Sequence, residues 1–98
     1  MYAEGLEPRT ASSLAVVVAT KNRWTHLRPL LEQLAAMTIA RSVVVVDQSD
    51  EGDRSLCAEW FAEHRPHNFR HMVTPNIGLP GARNVGWRAC EESIVVFL

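Results

Sequence analysis

Apolar residues in this chain come in two kinds of run. Leu14–Thr20 (LAVVVAT) and Ser42–Asp47 (SVVVVD) are short, nearly unbroken and rich in valine. Such runs suit strands buried on both faces of a parallel sheet, where neither side of the strand meets water. Asn68–Pro75 (NFRHMVTP) alternates weakly and predicts a third strand, and Ser93–Leu98 (SIVVFL) predicts a fourth. Between the strands the period changes. Leu27, Leu30, Leu31 and Leu34 fall at i, i+3, i+4 and i+7, one apolar stripe on a helix. Asn22 or Thr25 can cap this helix. Pro29 is tolerated only near a first turn, which sets the helix start close to Leu27. DRSLCAEWFAEH predicts a second helix, with Leu56, Trp60 and Phe61 on its apolar face, Asp53 as cap and Pro66 as its stop. ARNVGWRAC predicts a third, Ala82–Cys90, whose apolar side carries Ala82, Val85, Gly86, Ala89 and Cys90.

The order is β-α-β-α-β-α-β with short loops. It predicts an α/β, Rossmann-like parallel sheet with helices on both faces. Residues 1–13, with Pro8, Thr10, Ser12 and Ser13, read as a loose leader, and residues 14–98 as one domain. The fourth apolar run reaches Leu98 with no polar loop or helix after it. The expectation is an incomplete domain, the N-terminal part of something longer. A self-contained four-stranded domain is the alternative, and its core would be thin, because a chain this size buries roughly 60–70% of its unfolded surface.

Composition narrows the function classes. Of 98 residues, 47% are apolar and 21% charged, so the chain can build a core and is not disordered. A net charge of -1 without a basic tail argues against nucleic-acid binding by bulk electrostatics. MYAEGLEPRTASS lacks the apolar centre of a signal peptide, and no run approaches the roughly 20 apolar residues of a membrane span. The two cysteines, Cys57 and Cys90, are far apart and outside metal-type spacing, so both read as small core hydrophobes of a reduced, cytoplasmic protein.

Three loops leave the carboxyl ends of the first three strands: ATKNR, DQSDEGD and TPNIGLPGARN. In a doubly wound sheet these loops share one edge and can line one crevice. Asp47 can accept hydrogen bonds from a base edge or a ribose hydroxyl, or it can simply bond its own downstream backbone. Gly81 is read as preceding a helix whose free N–H groups favour an anion. Arg83 adds a guanidinium able to hold phosphate bidentately. The competing reading is a Pro-Gly turn and a solvated arginine. GLPGARN has neither the G-x-G-x-x-G of a dinucleotide site nor the G-K-[ST] of a P-loop. Asp47, Asp50 and Asp53 lack EF-hand spacing, with Ala58 where a glutamate is needed. His64, His67 and His71 are expected on a wet surface, as is His26, and there is no H-E-x-x-H or G-x-S-x-G.

VVVATKNR, LLEQL, VVVVDQS and NIGLPGARNVGW, taken in this order and spacing, resemble the N-terminal half of a family-2 glycosyltransferase of the GT-A fold. SIVVFL resembles the strand that leads there into an acidic D-x-D motif, so the resemblance runs from about Leu14 to Leu98. It implies a nucleotide-diphosphate sugar donor, with a UDP-sugar favoured. By this resemblance Ala19, Thr20 and Asn22 match the first nucleotide loop and Asp47 the carboxylate that pairs with the base. Arg83, with Asn76, Gly78 and Asn84 around it, matches the loop that faces the diphosphate and donor sugar. Gln48 stands where the family often has Asn or Asp. The resemblance also implies Mg²⁺ or Mn²⁺ on the D-x-D aspartates and an acidic base in an acceptor half. Both lie outside this sequence, so the chain alone is expected to be inactive. Two alternatives stay open. One is a stand-alone nucleotide-binding or assembly module without catalysis. The other is a small signalling domain like a response regulator, against which TKNRW stands where acids should follow the first strand.

Overall fold

The computed structural model describes residues 14–37, 42–92 and 94–98. The 1–13 leader and Ser93 lie outside the described residues. Among the described residues, four strands and three helices follow one another in the expected order. They are β1 (Leu14–Thr20), α1 (Trp24–Ala36), β2 (Ser42–Asp47), α2 (Glu51–His64), β3 (Phe69–Val73), α3 (Gly78–Arg88) and β4 (Ile94–Phe97). The sheet order is β3-β2-β1-β4, and every pairing is parallel. The two valine-rich runs take the central places, which bury both their faces. Val16–Val18 and Val43–Val46 are each no more than 6% exposed.

Alternation along these strands divides the core in two. Val16, Val18, Val43 and Val45 face α1 and α2, where they meet Leu27, Leu31, Leu34, Cys57 and Trp60. Val17, Val44 and Val46 face α3 and meet Ala82, with Val85 and Ala89 beside them. Helices thus cover both faces of the sheet. Side chains of this size contribute roughly 1.5–3 kcal/mol each when buried. The chain's apolar surface is therefore concentrated where two layers meet on each side of β1 and β2.

The helix starts differ from the sequence expectation. α1 begins at Trp24, and Pro29 lies inside it. Its first free N–H is not capped by Asn22 or Thr25. The Trp24 N–H donates to Asp53 Oδ2 of α2, 3.0 Å away. Asp53 therefore caps α1, not its own helix, whose N-cap position is Asp50. α3 begins at Gly78, so Leu79, Pro80 and Gly81 form its first turn and do not precede it. Pro80 fits there because a first-turn residue needs no N–H partner. A Cβ at Gly86 would stand 2.3 Å from Val17 Cγ1. Only glycine lets the C-terminal part of α3 approach β1 this closely.

Candidate functional site

The register brings three strand ends level. Thr20 pairs with Asp47, and Asp47 pairs with Val73. Each ladder runs one residue further: Gln48 N–H donates to the Thr20 carbonyl and Thr74 N–H to the Asp47 carbonyl, both at 2.9 Å. The three loops therefore leave the carboxyl edge side by side. β1 lies next to both β2 and β4, so the chain crosses to the other side of β1 here, as at a doubly wound ligand crevice.

Side chains then tie the loops together. Asn22 takes the left-handed conformation, φ 54°, which Asn tolerates better than most residues. There its N–H donates to Ser49 Oγ at 2.8 Å, and its Nδ2 donates to Asp50 Oδ2 at 3.1 Å. The Asp50 N–H returns a bond to Asn22 Oδ1 at 2.8 Å. Gln48 makes the second tie. Its Oε1 accepts from Ile77 N–H at 2.9 Å and Gly78 N–H at 3.0 Å. Gly78 has φ 84°, a conformation open to glycine. So the β1 loop, the β2 loop and the start of α3 form one cross-linked rim.

Asp47 is turned away from that rim. It is 1% exposed and points into the α1–α2 side of the core. Its Oδ1 accepts from Ser49 N–H at 2.9 Å, and its Oδ2 lies 2.8 Å from His71 Nε2. Burial pushes the Asp47 carboxyl up, but hydrogen bonds from Ser49 and His71 outweigh it and hold the group below its ordinary value. Cys57 lies beneath, buried, its thiol pushed up to about 12 by burial and by the nearby Asp47 carboxylate.

The other residues singled out in the sequence divide by place. Thr20 is buried at the end of β1, and Ala19 packs towards the α3 side. Asn22 and Gly78 belong to the rim. Asn76 is exposed on the β3–α3 loop. Arg83 and Asn84 are exposed on α3, and the Arg83 guanidinium stands 5.7 Å from the ring centre of Phe97 on β4. Arg83 thus leans towards the β4 side. The anion site expected at a helix start after Gly81 is revised, since the helix begins at Gly78 and Gln48 already takes the Ile77 and Gly78 N–H groups. His71 is also revised: its side chain is 11% exposed against Asp47, not on a wet surface. Sequence reasoning gave Ser49 no role, noted Gln48 only as a departure from the family pattern and set His71 on the surface. Ser49, two residues after an aspartate, carried a signal for a side-chain-to-backbone turn. The place of His71 depends on strand register, which no local pattern reveals.

A sequence model described as glycosyl transferase family 2 matches residues 15–98. The chain belongs to this family. The match spans every element from β1 to β4 and so includes all three loops of the rim. A comparison with curated proteins gives no match. No helix among the described residues is long and apolar enough to cross a membrane.

Family-2 glycosyltransferases often use a divalent cation. Among the described residues, one group of three donor side chains lies close enough to hold an ion: Asp47, Cys57 and His71. Mg²⁺ and Mn²⁺ prefer oxygen donors, and this set offers a thiol and an imidazole in the core under the rim. Asp50 and Asp53 are engaged with Asn22 and with the Trp24 N–H. The described residues do not fit a Mg²⁺ or Mn²⁺ clamp on a diphosphate.

Proposed function

We propose that this chain forms the donor-binding part of a GT-A-type glycosyltransferase, which holds a nucleotide-diphosphate sugar, with a UDP-sugar favoured, for transfer to an acceptor. The observation that carries this reading is the cross-linked rim, in which Asn22 and Gln48 join three loops at the carboxyl edge of the sheet. A preorganised rim loses little conformational freedom when a ligand docks, which favours affinity. In this reading Ala19, Thr20 and Asn22 flank the nucleoside. Arg83, with Asn76, Gly78 and Asn84 nearby, faces the diphosphate and sugar, because a guanidinium suits phosphate oxygens. Asp47 acts from below. Its two bonded oxygens hold Ser49 and β3 in place, so its effect on base binding runs through the loop it shapes.

The reading extends to the setting. Ile94, Val96 and Phe97 on β4 are exposed, as is Leu98 just after it. An apolar strand at a sheet edge favours further polypeptide packed beside it, the acceptor-binding half of the enzyme. We place the enzyme in the cytoplasm and expect the 98-residue chain alone to bind donor without turning it over. Calorimetric titration with uridine, UDP and a UDP-sugar tests the proposal. UDP should bind more tightly than uridine, and Arg83→Ala should remove most of that difference. Equal loss for both ligands, or no UDP binding by the chain or by a protein that extends it, overturns the reading.

A further inference from the structure

Under the β2 loop, three side chains from three elements converge. Asp47 ends β2, Cys57 sits in α2, and His71 lies in the middle of β3. One ligand atom from each lies within 4.8 Å of the other two. Asp47 and Cys57 are each 1% exposed, and the His71 side chain is 11% exposed. The juxtaposition follows from the register: Val45 pairs with His71, and Asp47 stands two residues beyond Val45 on the same face of the sheet. α2 packs over that face and delivers Cys57.

We propose that Asp47, Cys57 and His71 form a binding site for a zinc-class divalent ion, separate from any cation on the donor diphosphate. One sulfur, one imidazole nitrogen and one carboxylate oxygen are the donors Zn²⁺ selects, and three protein ligands leave a fourth position for water. Zinc bonds of 2.0–2.3 Å place tetrahedral ligand atoms about 3.3–3.8 Å apart. The Asp47–His71 contact of 2.8 Å would open slightly and the thiol would close in. Supporting contacts are already present. The Ser49 N–H holds Asp47 Oδ1 and leaves Oδ2 for the ion, while Phe61 stacks on the His71 ring with centroids 5.2 Å apart. Charge balances as well. A carboxylate and a thiolate neutralise a 2+ ion, so no net charge is left in the core. On binding, the Asp47–His71 hydrogen bond is replaced by two metal bonds: the proton on His71 Nε2 moves through solvent to Nδ1, and the Cys57 proton leaves to solvent. The ion would clamp β2, α2 and β3 directly beneath the rim.

The test uses Co²⁺ on the full chain after EDTA treatment, with no nucleotide present, so its outcome is independent of donor binding. The expected result is one ion per chain, with a thiolate-to-cobalt charge-transfer band in the near-UV and intense tetrahedral bands in the visible, all displaced by Zn²⁺. One proton should be released per ion in weak buffer near neutral pH. Cys57→Ala should abolish the near-UV band, and His71→Gln should weaken binding at least tenfold. Cys90→Ala, which removes the other free thiol, should change neither. Absence of the band in the unaltered protein, its survival in Cys57→Ala, or its loss in Cys90→Ala overturns the site. The unaltered protein and Cys90→Ala decide the matter even if Cys57→Ala fails to fold.

Discussion

Gln48 Oε1 accepts hydrogen bonds from the N–H groups of both Ile77 and Gly78, at 2.9 and 3.0 Å, and so joins the end of β2 to the start of α3 across 30 residues of chain. The side chain that does this is itself nearly buried, while the two donors belong to exposed residues. Gln48→Leu keeps the bulk and removes the acceptor. Water can reach the freed donors, so stability should fall by about 1–2 kcal/mol, at the lower end for two neutral hydrogen bonds. Donor affinity should fall more than stability does, because α3 would lose its fixed approach to the rim. Urea unfolding and UDP titration on the same variant separate the two effects. Unchanged UDP affinity would remove Gln48 from the site.

Asn22 contributes both a backbone conformation and three hydrogen bonds, and two substitutions separate them. Asn22→Gly keeps the left-handed φ of 54° at no steric cost but loses the carboxamide. Asn22→Ala loses the carboxamide and strains the backbone as well, by roughly 1–2 kcal/mol. Thermal unfolding should therefore rank the native protein above Asn22→Gly and Asn22→Gly above Asn22→Ala. If alanine is tolerated as well as glycine, the β1 loop does not need this conformation.

The Asp47 carboxyl is held below its ordinary value of 3.8, against burial, by bonds from Ser49 and His71. A group with a depressed folded pKa stabilises the fold above its unfolded pKa, and that stability is lost as pH falls through the folded value. In metal-free buffer the protein should lose stability below about pH 3.8 more steeply than Asp47→Asn, which has no carboxyl to protonate there. The gap between the two should narrow as pH drops. A gap that stays constant from pH 6 to pH 2.5 would mean that Asp47 is not held ionised by these contacts.

Much of the fold was legible in the sequence because the two valine runs and the Leu27–Leu34 stripe each have one period and one burial solution. The chemistry was less legible, for identifiable reasons. Asp47 was visible as a strand-end carboxylate, but its direction was not. Strand residues alternate faces, and only the packing of Cys57 and Trp60 of α2 against Val43 and Val45 shows that this face is closed over. The start of α3 was placed four residues late because Gly78, Pro80 and Gly81 read as a turn. Gln48 and a first turn that tolerates proline make them helical instead. Asp53 was seen as a cap, but on the wrong helix, because a carboxylate that caps across 29 residues leaves no local signature.

Gly86 gives the sharpest packing test. Alanine is ordinarily the better helix former, by roughly 1 kcal/mol, so Gly86→Ala would stabilise an exposed helix. Here the new Cβ would meet Val17 Cγ1 at 2.3 Å and Val46 Cγ2 at 3.2 Å. Val17 is fully buried in the central strand and is stiff at χ1, so it cannot swing aside. α3 must lift from the sheet, and overpacking of this kind costs about 1–3 kcal/mol or more. The net expectation is a loss of at least 1 kcal/mol in urea unfolding. Lifting α3 also strains the two Gln48 bonds at its start, so UDP affinity should fall with it. If Gly86→Ala proves more stable than the native protein, α3 does not press on β1 as described.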